Sequence, residues 1–191
     1  MKLLEQQIAQ RGKVYEGGVL SVGGFVNQNM DVKLLSAMAD EVAAHFAGGK
    51  VDKVLTVEAS GIALAVLVAE RLKCEAVFAK KSKSLNAKGE AYEAECRSFT
   101  RPGVNIISLP KEYLPQNSNV LIIDDFLAVG NAANALLDIV SQAKANLVGM
   151  SVAIEKGFQG GGDALREKGV DLLSLAIVES MEDGKIVFRN N

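Results

Sequence analysis

Residues 120–133 read Val120-Leu-Ile-Ile-Asp-Asp-Phe-Leu-Ala-Val-Gly-Asn-Ala-Ala133. Four aliphatic residues run without polar alternation into two consecutive carboxylates, and a turn of small residues then opens into a helix-forming stretch. An uninterrupted, β-branched run suits a strand buried on both faces, the habit of parallel sheets covered by helices. In an open α/β sheet ligands bind beyond the carboxyl ends of the strands, so Asp124 and Asp125 fall where a site is expected. Side by side, they can accept hydrogen bonds from a vicinal diol such as ribose O2 and O3. The backbone N–H groups of Ala128, Val129, Gly130, Asn131 and Ala132, at the start of a helix, suit a phosphate. A diol beside a phosphate describes a ribose 5-phosphate. Capping of the next helix is the plainer role for the acids, but the full strand, acid pair and small-residue turn favour a site.

Outward from this stretch, Lys53–Val57, Ala76–Ala79 and Leu147–Ile154 are further short apolar runs expected to be parallel strands buried on both faces. Helical stretches lie between them at Gly61–Leu72 and Asn131–Ala143. The order β-α-β, interruption, β-α-β predicts a doubly wound α/β fold, a central parallel sheet flanked by helices. Upstream, Asp31 is placed to cap a helix in which Leu35, Met38, Ala39, Val42 and Phe46 recur at helical spacing, with Gly48-Gly49 as its left-handed stop. The interruption, about 81–105, holds Lys81, Lys83, Lys88, Arg97 and Arg101 among Ser, Asn and Gly. Tyr92–Phe99 and Val104–Leu109 are expected to form an antiparallel hairpin leaving the sheet, and such a polar excursion reads as a lid. Leu172–Val178 and Lys185–Phe188 around Asp183-Gly184 read as a closing hairpin.

Val57-Glu-Ala-Ser-Gly61 repeats the arrangement of strand end running into helix start, although Ser60 alone is an adequate N-cap. Taken in order with the acid pair, this segment resembles a second signature of the type I phosphoribosyltransferases, which bind phosphoribosyl pyrophosphate (PRPP) and couple its ribose to a nitrogenous base. The resemblance implies that Glu58, Ala59, Ser60 and Gly61 hold the pyrophosphate. It also implies that Lys80 and Lys81, at the end of the following strand, meet that group under a flexible hairpin lid. Such cations have a clear use: the leaving pyrophosphate must be neutralised, and the oxocarbenium-like sugar kept from water. The family usually carries Thr where this chain has Val129, so here the amides must hold the phosphate without a hydroxyl.

Lys156 and Phe158 follow the 147–154 strand in a pattern similar to the family's 6-oxopurine readers. An ammonium only donates, so it matches O6 and N7 of xanthine, guanine or hypoxanthine and opposes the 6-amino group of adenine. Phe158 or Phe126 is the candidate to stack on the base. Over its whole length, including Gly18–Met30, the chain resembles the bacterial xanthine phosphoribosyltransferases. That likeness implies a small hood from about 1–30 and 155–191, with Leu20 and Asn27 against the purine. Asn27 both donates and accepts, so its chemistry suits a 2-oxo or a 2-amino group. Also implied are Mg²⁺ bound mainly through PRPP and pyrophosphate oxygens, with no protein metal cage, and a homodimer. The expected reaction joins xanthine N9 to C1 of PRPP in purine salvage. The alternatives are a guanine/hypoxanthine phosphoribosyltransferase and a non-catalytic PRPP-sensing regulator.

Composition agrees with a small-molecule enzyme. The 191 residues are 49% hydrophobic and 23% charged, with 21 Lys+Arg against 23 Asp+Glu for a net charge of −2. That length suits one domain spanning 1–191 with a real core, and the balance offers neither nucleic acid nor membrane an electrostatic footprint. The first 50 residues hold no helix-turn-helix followed by a wing. Residues 1–16, MKLLEQQIAQRGKVYE, lack the apolar run of a secretory segment, so a cytoplasmic protein is expected. Cys74 and Cys96 read as reduced structural thiols, and His45 as a surface residue without ligands around it. Gly160-Gly-Gly162 lacks the strand-GxGxxG-helix context and reads as a loop before a helix near Ala164–Lys168; no P-loop occurs.

Overall fold

The computed structural model describes residues 1–15, 17–81, 90–97, 104–182 and 185–189. At its centre is the strand that opened the sequence, β7 (Asn119–Leu127), in which Val120, Leu121, Ile122 and Ile123 have no exposed surface. Their burial follows from cover on both sides. The six-stranded sheet runs in the order β10 (Val187–Phe188), β9 (Leu172–Ser180), β8 (Asn146–Lys156), β7, β3 (Lys53–Val57), β4 (Glu75–Ala79). All neighbours are parallel except β10, which returns antiparallel along β9. The tail is therefore the closing hairpin expected, with its Asp183-Gly184 turn outside the described residues, but β9 is also a parallel sheet strand beside β8.

One face of the sheet is covered by α1 (Lys2–Arg11), α2 (Val32–His45) and α3 (Ile62–Leu72), whose buried residues share a core with Val54, Leu121, Ile123, Ile154 and Leu175. The other face is covered by α4 (Asn131–Gln142), α5 (Gly161–Glu167) and the hairpin of β5 (Ala91–Arg97) and β6 (Val104–Pro110). Helix α2 begins as its sequence predicts: the Asp31 carboxylate accepts from the Leu34 N–H at 3.3 Å, and Leu35, Met38, Ala39 and Val42 are buried. Its end differs. Gly48 and Gly49 do not adopt left-handed backbone; the helix closes at Phe46, whose carbonyl accepts from the Gly49 N–H at 3.2 Å. The Phe46 ring packs where a side chain at Gly149 would stand, so tertiary packing anchors this end.

Two further expectations are corrected. β4 is not buried on both faces: it is the sheet edge, where Glu75, Ala76 and Phe78 are exposed and Ala79 is buried. The hairpin forms as expected, a two-stranded sheet apart from the central one with Tyr92 opposite Leu109, but the inner face of its base is not a free lid. Ala94, Cys96, Ile107 and Leu109 are buried in the core under α4, and the Gln142 side-chain amide donates to the Glu93 carbonyl at 2.8 Å. Of the lid reading, residues 82–89 and 98–103, with Lys83, Lys88 and Arg101, lie outside the described residues. His45 is exposed as expected but not alone, its Nε2 lying 3.1 Å from Asp171 Oδ1. Both cysteines are free thiols. Among the described residues no helix is long and apolar enough to cross a membrane.

Candidate active site

Because β3, β4, β7 and β8 are parallel, their carboxyl ends lie along one edge of the sheet. That edge collects the 58–61 turn after β3, Lys80 and Lys81 after β4, Asp124 to Leu127 at the end of β7 with the turn to Ala132 beyond it, and Lys156 at the end of β8. Asp124 is buried, and its Oδ1 accepts from the Asp125 N–H at 2.9 Å. Burial, and next the charge of Asp125, push the Asp124 carboxyl well above the usual carboxylate range, while Lys81 pulls the other way. Gly61 lets the 58–61 turn approach the acid: a Cβ there would stand 3.3 Å from Asp124 Oδ1 and would collide with the Thr56 hydroxyl. That hydroxyl is buried and lacks a hydrogen-bond partner.

The segments are tied to one another. Glu58 donates its N–H to the Ala79 carbonyl at 3.0 Å, and its carboxylate accepts from the Lys81 N–H at 2.6 Å. The peptide between Glu58 and Ala59 is cis. Lys80 exchanges backbone hydrogen bonds of 2.9 and 2.8 Å with Ser108 of β6, which joins the hairpin to the site edge. Past Asp125, the turn 128–130 ends at Gly130, whose φ of 90° is left-handed backbone that glycine adopts without a steric penalty. The Gly130 carbonyl accepts from both the backbone and the side-chain amide of Asn134, each at 2.8 Å, and so starts α4.

Residues 13–15 and 17–27 reach the same edge. After β1 (Lys13–Tyr15) and β2 (Val19–Ser21), a wide helical turn, Gly23–Asn27, brings the Asn27 side chain to Asp125, where Nδ2 donates to Oδ2 at 3.0 Å. The Gly18 carbonyl accepts from Lys156 Nζ at 3.0 Å. Lys156 is largely buried, lies 5.9 Å from the centre of the Phe126 ring, and has its ammonium pKa lowered by desolvation. Asn27 is thus tied to Asp125, and Lys156 to Gly18 and to the ring of Phe126, the residue that follows the acid pair. Leu20 is buried in the core near Gly12, and Phe158 is 44% exposed on the rim beside Gly18. Val129 is also exposed.

Sequence reasoning missed Glu155, the fully buried neighbour of Lys156. Its carboxylate accepts from Arg166 at 3.0 and 2.7 Å and from the Ser174 hydroxyl. An acid within an apolar strand was a visible signal, since such a residue is almost never buried without a partner.

The family pattern described as "Phosphoribosyl transferase domain" matches residues 27–172. The chain is 46% identical over its whole length to a xanthine phosphoribosyltransferase of Alkaliphilus metalliredigens, 95% of which is covered. It is 47% identical to the xanthine phosphoribosyltransferase of Bifidobacterium adolescentis, with all of both chains covered. Among solved structures, an adenine phosphoribosyltransferase of Saccharomyces cerevisiae superposes with a TM-score of 0.73 at 24% identity, over 92% of this chain and 99% of that one. That likeness shows the α/β fold with helices on both faces of a central sheet. An acid pair and a small-residue turn on one sheet edge, a matching domain pattern and full-length relatives agree: the chain belongs to the phosphoribosyltransferase family.

Proposed function

We propose that the chain transfers the 5-phosphoribosyl group of PRPP to N9 of xanthine, giving xanthosine 5'-monophosphate and pyrophosphate in purine salvage. The observation that carries this reading is the convergence on one sheet edge of an acid pair whose Asp124 is buried, a small-residue turn opening α4 and a desolvated ammonium. The names of the full-length relatives support xanthine as the acceptor. The donor-only ammonium of Lys156 supports a 6-oxopurine over adenine.

In this reading Asp124 and Asp125 accept from the ribose O2 and O3 hydroxyls. The amides of Ala128, Val129, Gly130, Asn131 and Ala132 hold the 5-phosphate. Glu58, Ala59, Ser60 and Gly61 border the pyrophosphate, and Lys80 and Lys81 offset the charge that grows on it. As the N9–C1 bond forms, the C1–O bond breaks, its electron pair leaves with pyrophosphate and the N9 proton passes to solvent. Lys156 donates to O6 or N7, Asn27 meets the substituent at C2, and Phe158 borders the base, while Leu20 packs in the core behind this segment and not against the purine. Residues 17–30 lie over the base as the hood of a single domain, active in the cytoplasm as a homodimer.

Among the described residues no three His, Cys, Asp or Glu side chains cluster to hold a metal. A neighbouring pair of carboxylates, Asp124 and Asp125, nonetheless fits Mg²⁺, which keeps several waters and leans on substrate oxygens. Held beside these carboxylates, the ion would supply charge neutralisation for the pyrophosphate.

A guanine reading draws on one contact. With Nδ2 of Asn27 turned to Asp125, Oδ1 remains to accept from a 2-amino group, whereas rotation of the amide presents a donor to the 2-oxo group of xanthine. A spectrophotometric assay of xanthine, guanine and hypoxanthine with PRPP and Mg²⁺ separates them. The site itself is tested by Asp124→Asn with Asp125→Asn, which should abolish PRPP binding in calorimetry while circular dichroism stays unchanged. Lys156→Ala should raise KM for the oxopurine about 10- to 100-fold, the worth of a charge-assisted hydrogen bond, with PRPP affinity kept. Unaltered kinetics in the double variant would remove the site.

A further inference from the structure

Helix α5 stands against the turn that precedes α4, and its contact depends on missing side chains. The Gly161 N–H donates to the Ala128 carbonyl at 3.2 Å. A Cβ on Gly161 would stand 2.8 Å from the Val129 carbonyl carbon and 2.9 Å from the Gly130 nitrogen, and nearer still to the Ala128 carbonyl oxygen. Contacts of that kind are with backbone, so any side chain there must push the turn away. The next residue is held as tightly from below: a Cβ on Gly162 would collide with the Glu155 carboxylate, including Oε2 at 2.7 Å. Glu155 cannot yield. It has no exposed surface, Arg166 of α5 grips both its oxygens, and Ser174 of β9 donates to it. Asp163, also on α5, accepts from Arg189 Nη1 at 3.0 Å, and Arg189 in turn binds Glu179 of β9.

From these contacts we infer that α5 is a positioning wedge for the donor site. The Glu155–Arg166 pair fixes the helix on β8 and β9, and Gly161 transmits that fixed position to the backbone of Ala128, Val129 and Gly130. The inference rests on the reading of 128–132 as the phosphate-binding turn, and it adds Gly161, Glu155 and Arg166 as residues that set donor affinity without touching donor. It explains why a buried carboxylate sits beside Lys156 in an otherwise apolar strand: the same β8 terminus supplies the base-reading ammonium upward and the anchor of the phosphate turn sideways. A shift of the turn alters the aim of several amide N–H groups together, and such displacements are costly because a misplacement of about 1 Å can cost about 100-fold.

The test compares PRPP affinity by calorimetry and full steady-state kinetics in five variants of the full chain. Gly161→Ala should raise Kd and KM for PRPP at least about tenfold, with kcat and KM for xanthine within about twofold of wild type. Arg166→Ala should do the same, and Arg166→Lys should recover part of the loss; this pair decides the matter if Gly161→Ala does not fold. Arg71→Ala, which breaks the Arg71–Asp40 ion pair between α3 and α2, controls for stability and should leave PRPP affinity unchanged. A loss of PRPP affinity equal in Arg71→Ala and Arg166→Ala, or none in Gly161→Ala and Arg166→Ala, overturns the wedge. Ala132→Asp, which sets a carboxylate in the turn itself, separates the two layers. If it weakens PRPP binding while the α5 variants do not, only the wedge fails. If it leaves PRPP binding intact, the phosphate-turn reading fails and the wedge with it.

Discussion

Asp124 shows what a binding residue costs the fold that carries it. Its carboxyl is buried and faces a second acid, so its pKa in the folded protein lies above that of the unfolded chain. The stability contributed by the protonated form is complete below the unfolded value and is lost as pH rises through the folded value. Asp124→Asn should therefore melt higher than wild type at neutral pH, by about 2–4 °C if the relief is about 1 kcal/mol. The gain should vanish below the ordinary carboxylate range, which differential scanning calorimetry at several pH values checks. Val129 argues in the opposite sense. Its side chain is exposed at the proposed phosphate turn, and Val129→Thr offers a hydroxyl there; PRPP affinity should rise about 3- to 10-fold by calorimetry, the range of one added hydrogen bond of ordinary net strength. The acids, Lys156 and the turn were legible in the sequence because their chemistry depends on residue type and on a strand ending beside them. Asn27 donating to Asp125 was not, since the two are 98 positions apart and nothing local links them.

Among the elements, the β5–β6 hairpin corrects a reading based on polarity. Between Ala91 and Arg97 the inward positions are Ala94 and Cys96, too small to announce a buried face, while Glu93 and Glu95 dominate the composition. In the structure the inward face closes the core under α4, and Ile107 opposite Ala94 is fully buried. Ile107→Ala should cost about 2–4 kcal/mol in urea denaturation, as for other large-to-small changes in well-packed cores. A lid wholly detached from the core would give less than half that. Helix α1 was also hidden, although Leu4 and Ile8 stand one turn apart on its buried face; with Leu3 and Ala9 exposed, two inward apolar residues in a decapeptide are too few to define a periodic stripe.

At the scale of the molecule, the N-terminal helix, the 23–27 turn, α2, α3 and the ends of β8 and β9 share one core. That continuity joins α1 to β9 on the side where Asn27 meets Asp125. Leu4→Ala with Ile8→Ala should lower stability by about 4 kcal/mol or more in equilibrium denaturation, taking about 2 kcal/mol or more for each emptied site. It should raise KM for the base more than KM for PRPP, because α1 supports the elements around Asn27 and not the phosphate turn. Equal effects on both substrates would separate α1 from the base side. The residue pattern alone determined the strand that ends in Asp124-Asp125, the β-α order and the parallel sheet, because short apolar runs, turn residues and helical spacing are local properties. Only the tertiary structure decided that β4 is an edge, that the hairpin base is buried, that Glu155 is clamped by Arg166, and that Gly161 rests on Ala128. Those outcomes depend on which surfaces meet, and a chain position carries no record of what will pack against it until the whole sheet has assembled.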